Sequence, residues 1–96
     1  MLNQRYAAID QGTTGTRVVV FDENGRSHSP MSIPHKQITL NNGWVEHDPE
    51  EILGNIMKCL SSCEVVDALG ICHQGESIVA WHSDTKKPLY NAVDLR

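Results

Sequence analysis

Aromatic side chains are scarce in this 96-residue chain, which has one Phe, two Tyr and two Trp, and neither sign of charge dominates it. The formal net charge is −4, from 8 Lys and Arg against 12 Asp and Glu. No basic stripe, and no interleaving of aromatic residues with Lys or Arg, offsets that balance, so nonspecific nucleic-acid binding is excluded as a function. Long hydrophobic runs are missing too. Although 40% of residues are hydrophobic, no stretch approaches the roughly 20 apolar residues of a membrane-spanning helix. Residues 1–5 lead directly into the first short apolar segment, without the apolar core and cleavage site of a secretory leader. Together these features give the expectation of a cytoplasmic protein with no membrane partner.

Cysteines are few and odd in number, at Cys59, Cys63 and Cys72, which does not suit a disulfide framework. Cys59 and Cys63 fall one helical turn apart, and with Cys72 and His73 they could supply four zinc ligands. That spacing is not among the common zinc patterns, and buried thiols packing as small apolar groups are the expectation. A nucleophile elbow, a Walker loop and a dinucleotide fingerprint are all absent.

What the chain does contain is concentrated near its start. Asp10-Gln11-Gly12-Thr13-Thr14-Gly15-Thr16-Arg17 places a carboxylate, two glycines, three threonine hydroxyls and a guanidinium in eight consecutive residues. Tyr6 to Ile9 before it and Val18 to Phe21 after it read as strands, so the motif is the turn of a β-hairpin. Glycines at such a turn allow positive φ and close approach to a ligand, while N–H groups and hydroxyls donate to phosphate oxygens. Asp10 could hold a hydrated Mg²⁺, and Arg17 adds a planar fork suited to phosphate. The plain alternatives are a hairpin without a ligand and a solvated cation at a strand end.

Further along, Asp22-Glu23-Asn24-Gly25 closes the second strand with an Asn-Gly pair that favours a type I′ turn. Arg26 to Gln37 carries Pro30 and Pro34, so any third strand there is short, bulged or at an edge. Ile38 to Gly43 reads as a loop. Asp48-Pro49-Glu50-Glu51 starts a helix running to about Ser62, with Asp48 as cap, Pro49 in the first position and Glu51 placed for a capping box. Ile52, Leu53, Ile56, Met57 and Leu60 form its apolar stripe, opposite Glu51, Asn55 and Lys58. Val65 to Ile71 and Ser77 to Trp81 are apolar runs, Ser83 to Pro88 is a turn, and Leu89 to Val93 reads as one more strand. Glu46, His47 and Asp48 could be taken for an acid and base cluster, but the helix start absorbs Asp48.

Three blocks resemble the N-terminus of an FGGY-family carbohydrate kinase of the glycerol kinase-like branch. They are Ile9 to Thr14 with Arg17 and Val18 to Asp22, then Gly43-Trp44-Val45-Glu46-His47-Asp48-Pro49, then Gly70 to Glu76 continuing to Lys87 to Ala92. The resemblance implies an α/β, ribonuclease H-like (actin-like ATPase) fold, with residues 1–96 as the N-terminal portion of the first kinase domain and the second domain absent. It implies ATP and Mg²⁺ as cofactors and a small-molecule sugar or polyol as substrate. Asp10 would then stand near the metal and the transferring phosphoryl group. Gly12, Thr13 and Thr14 would line the phosphate hairpin, Arg17 would offset γ-phosphate charge, and Gln74 and Glu76 would bind the polyol. His73 could donate to a hydroxyl, though a structural role is the simpler one.

Two departures from the pattern matter. Gly75 stands where the glycerol kinase-like branch has an arginine, which suggests a different or larger sugar than glycerol. Val93-Asp94-Leu95-Arg96 stands where the family continues into a tryptophan that packs on substrate, and neither Trp44 nor Trp81 fits that role. One helix covers one face of a five-stranded sheet, and ordering costs about 1.5 kcal/mol per residue, so the chain is expected to be the opening piece of a larger domain, inactive alone. An uncovered apolar face also favours self-association, making a homo-oligomer or a non-catalytic interaction module the alternative expectation.

Overall fold

The computed structural model describes residues 4–94, so most of the stretch before the first apolar segment, read above for a leader, and the last two residues of the C-terminal departure lie outside the described residues. The fold is α/β. In chain order it contains β1 (Arg5–Gln11), β2 (Gly15–Asp22), β3 (Ser27–Pro34), β4 (Ile38–Thr39), β5 (Val45–His47), α1 (Pro49–Ser61), β6 (Ala68–His73) and β7 (Ala92–Asp94). Four strands form one sheet in the order β3-β2-β1-β6, with β6 parallel to β1 and the other pairs antiparallel. A second sheet has the order β4-β5-β7.

Alternation along β1 and β2 divides the first sheet into two faces. Ala7, Ile9 and Gln11 turn inward from β1, and Thr16, Val18 and Val20 from β2. Helix α1 covers these residues, inserting Cys59, and Ile56, Leu60, Met31 and Ile33 pack around them. Full burial of Ile9 and Val18 contributes about 1.5 to 3 kcal/mol each. The opposite face carries Tyr6, Asp10, Arg17 and Phe21 and is left open. The six residues of β6 are all exposed.

Several expectations change on contact with tertiary structure. The turn after β2 is not type I′: Gly25 has φ of +81°, but Asn24 is not left-handed. Asp22 Oδ1 accepts from the N–H groups of both Asn24 and Arg26, which favours a three-residue loop with only its last residue left-handed. The third strand is not short, at eight residues, but it is an edge strand and is bulged. Its irregularity falls opposite Val19, where Ser29 Oγ donates to the Val18 carbonyl at 2.6 Å and Pro30, which has no N–H, needs no partner.

The single five-stranded sheet gives way to two sheets, because Ile38–Thr39 and Val45–His47 pair with each other where a loop was expected. Ser77 to Trp81 forms no strand. It makes only isolated bridges, Ile78 to Val93 and Trp81 to Pro88, since strand propensity needs a continuous partner edge. Only the end of Leu89 to Val93 becomes strand, as Ala92–Asp94.

Helix α1 starts as expected, with the Asp48 side chain accepting from Glu50 N–H at 2.9 Å and Pro49 in the first turn. The capping box does not close. Glu51 is drawn away by the backbone N–H of Lys36, at 3.1 Å. The apolar stripe is rotated too: Asn55 is buried and its amide reaches the Pro34 carbonyl, whereas Leu53 and Met57 are exposed. Cys59 is buried, Cys63 half-buried and Cys72 exposed, so the expected burial of thiols fails at Cys72. Among the described residues no cluster of three or more metal-ligating side chains exists.

Candidate active site

The β1–β2 turn is closed by Gly12 N–H donating to the Gly15 carbonyl at 2.8 Å, and Thr13 and Thr14 at its tip are exposed. Just below the tip, Asp10 and Arg17 are direct cross-strand partners on the open face. Arg17 Nη2 lies 3.3 Å from Asp10 Oδ2, and both side chains are about half exposed, at 54% and 50%. An ion pair so exposed contributes only about 0 to 1 kcal/mol to stability. Its geometry instead places a carboxylate and a guanidinium side by side beneath a turn.

The carbonyls of that turn are held from within the protein. Gly12 O accepts from Gln11 Nε2 at 2.9 Å and from Gln74 Nε2 at 3.0 Å. Thr13 O accepts from Gln37 Nε2 at 2.9 Å, and Thr14 O from the backbone N–H of His35 at 3.2 Å. In a trans peptide the C=O and the following N–H point in opposite directions, and no peptide among the described residues is cis. The N–H groups of Thr13 and Thr14 are therefore turned away from these anchors, whereas that of Gly15 lies on the side of its own carbonyl and points back across the turn. Successive outward N–H groups make a concavity for an anion.

The glycines serve a different purpose from the one expected. Neither Gly12 nor Gly15 has positive φ. A Cβ on Gly15 would lie 2.6 Å from the Ile33 carbonyl oxygen, so this residue permits close approach of β3 rather than of a ligand. Thr16 also differs, facing the helix with its hydroxyl buried and without a hydrogen-bond partner. Only two of the three threonine hydroxyls belong to the tip.

Beside the tip lies a cleft of about 240 Å³ lined by Thr13, Gln74, Gly75, Glu76, Ser77 and Asp94. Thr13 and Glu76, far apart in sequence, thus border one space. Gln74 is engaged by the hairpin, donating also to Gln11 Oε1 at 3.2 Å, while its Oε1 accepts from Ser77 Oγ at 2.7 Å. His73 is exposed and meets its own neighbour, with Nδ1 2.9 Å from the Gln74 carbonyl. Asp10 is the one carboxylate at the hairpin, which suits Mg²⁺ held mainly by phosphate and water oxygens rather than by a protein cage.

The cluster at Glu46 to Asp48 disperses. His47 is fully buried and donates through Nε2 to Gln37 Oε1 at 2.8 Å. Glu46 is buried beneath Tyr90 Oη, at 2.8 Å, and Asn91 Nδ2, at 3.1 Å. Donating to this carboxylate pushes the Tyr90 phenol above its ordinary range. Trp44 and Trp81 lie on the surface. Sequence reasoning missed Gln37, the His35 N–H and Asp94, because nothing local marks a residue that completes a turn 20 or more positions away.

Residues 5–95 match the N-terminal domain of the FGGY family of carbohydrate kinases. The glycerol kinase of Corynebacterium glutamicum is 44% identical over 95% of this chain and 19% of its own length. The crystal structure of Plasmodium falciparum glycerol kinase with ADP superposes with a TM-score of 0.81 and 35% identity, over 95% of this chain and 20% of that one. The gluconate kinase of Lactobacillus acidophilus, at TM-score 0.82, 24% identity, and 96% and 20% coverage, shares the fold. This chain spans about a fifth of the length of these relatives. The ribonuclease H-like, actin-type fold and the carbohydrate-kinase resemblance hold, and a non-catalytic module is not favoured. The chain belongs to the FGGY family of carbohydrate kinases.

Proposed function

We propose that this chain is the N-terminal part of an ATP-dependent sugar or polyol kinase, with the β1–β2 turn as its phosphate site. The observation that carries this is the set of three tip carbonyls tied inward, which turns the N–H groups of Thr13 and Thr14 outward beside Asp10 and Arg17, where they can meet phosphate oxygens. Phosphoryl transfer needs positioning and charge stabilisation more than covalent help from the protein. Gly12, Thr13 and Thr14 cradle the phosphates, and Arg17 offsets negative charge on the γ-phosphoryl oxygens. Mg²⁺ beside Asp10 would supply neutralisation of the bridging phosphate charge.

Across the cleft, Glu76 accepts from the hydroxyls of a polyol, and Gln74 borders the same space. Glycine at position 75, where the glycerol kinase-like branch has an arginine, supports a different or larger sugar or polyol than glycerol. A soluble, cytoplasmic location fits such a substrate. Titration of the ¹⁵N-labelled chain with Mg·ATP should shift the amides of Thr13 and Thr14 together with those of Asp10 and Arg17. Unmoved tip amides would refute the phosphate site. In the intact kinase, Asp10→Ala should abolish most turnover while leaving the fold unchanged.

A further inference from the structure

Gln74 lies in the loop after β6, two residues before Glu76, yet its side-chain nitrogen turns to the hairpin. Its amide is fully engaged: Nε2 donates to the Gly12 carbonyl at 3.0 Å and to Gln11 Oε1 at 3.2 Å, and Oε1 accepts from Ser77 Oγ at 2.7 Å. The Gly12 carbonyl fixes which end of the amide faces the hairpin, since an oxygen that only accepts selects the amide nitrogen. The nitrogen is thereby committed to Gly12. Because the Gly12 carbonyl and the Thr13 N–H belong to one planar trans unit, holding the first sets the direction of the second.

We propose that Gln74 is a positioning residue for the phosphate hairpin, aiming the Thr13 N–H through the Gly12 carbonyl and so linking the polyol-facing loop to the nucleotide-facing turn. The proposal rests on the phosphate-site reading above and assigns Gln74 to nucleotide geometry rather than to polyol contact. The remaining anchors act on neighbouring peptides, with Gln37 on Thr13 O and His35 N–H on Thr14 O. Gln74 is therefore expected to affect Thr13 selectively. Gln11 also reaches Gly12 O, but from the next residue on the same strand. Of these anchors, Gln74 is the one that comes from the loop bearing Glu76.

The test is the Mg·ATP titration repeated on Gln74→Met, which keeps the length of the side chain and removes its donor. Affinity should fall by about tenfold, the loss expected for one misaligned donor to an anion. The Thr13 amide response should collapse while that of Thr14 persists. Wild-type binding with an unchanged Thr13 response in Gln74→Met would overturn the role of Gln74 and leave the phosphate site standing. No response in the wild type would overturn both. Should Gln74→Met fail to fold by far-UV circular dichroism, Gln74→Glu decides. It keeps the shape of the side chain and puts an acceptor oxygen where the donor stood, so the Thr13 response should weaken, and an unaltered response would overturn the proposal.

Discussion

Adding one methyl group at each glycine of the phosphate turn should have opposite effects. In Gly15→Ala the new Cβ would sit 2.6 Å from Ile33 O, 3.0 Å from Pro34 Cα and 3.2 Å from Ile33 C, all backbone atoms that cannot rotate aside. Relief requires β3 to move away from β2 where His35 N–H meets Thr14 O. Such overpacking costs about 1 to 3 kcal/mol. Lower entropy of the unfolded chain returns about 0.4 to 1 kcal/mol, leaving a net loss centred near 1.5 kcal/mol. Gly12→Ala has a compatible φ, and its Cβ would meet only Gly15 O at 3.6 Å, an ordinary contact. It should gain about 0.4 to 1 kcal/mol. Urea unfolding followed by circular dichroism reads both. With a slope of about 1 kcal/mol per molar, the midpoint should drop by about 1.5 M for Gly15→Ala and rise by up to about 1 M for Gly12→Ala. Equal midpoints, or a larger loss at Gly12, would refute the close-approach explanation.

Two further outcomes follow from buried groups. Thr16→Val replaces a hydroxyl that has no partner with a methyl of similar shape and should stabilise the chain by about 1 kcal/mol in the same unfolding assay. Burial first, and the neighbouring Cys63 second, push the Cys59 thiol above its ordinary value of 9.0. The folded state thus holds this proton more tightly than the unfolded one. Its contribution is fully present below the ordinary value and is lost as pH rises through the folded value. Stability measured upward from pH 9 should therefore fall more steeply in the wild type than in Cys59→Ala, and parallel slopes would contradict the burial of this thiol.

The hairpin and the helix start were legible because their signals are local. Alternation from Tyr6 to Phe21 fixes two strands, and Asp48-Pro49 fixes a helix start, without help from distant residues. The second sheet was not legible. Val45–His47 becomes a strand because Ile38–Thr39 and Ala92–Asp94 lie on either side, and no window along the chain contains all three. Glu46 read as part of an acid and base cluster and Asn55 as part of the polar helix face, but Tyr90, Asn91 and the Pro34 carbonyl satisfy them inside. In the site, Asp10 and Arg17 were visible as members of one motif, and their pairing across the strands came with the fold. The anchors that orient the turn were invisible, because a glutamine acquires that task only through what folding brings beside it.

The two sides of the cleft differ in support. The turn stands on β1 and β2, which are clamped by the helix and by neighbours on both edges, whereas the loop bearing Glu76 stands on β6, an edge strand whose six residues are all exposed. Amide exchange should accordingly be slower beneath the turn than beneath the loop. In the proposed site the phosphate turn thus comes ready-braced, and the polyol loop waits on whatever packs against β6.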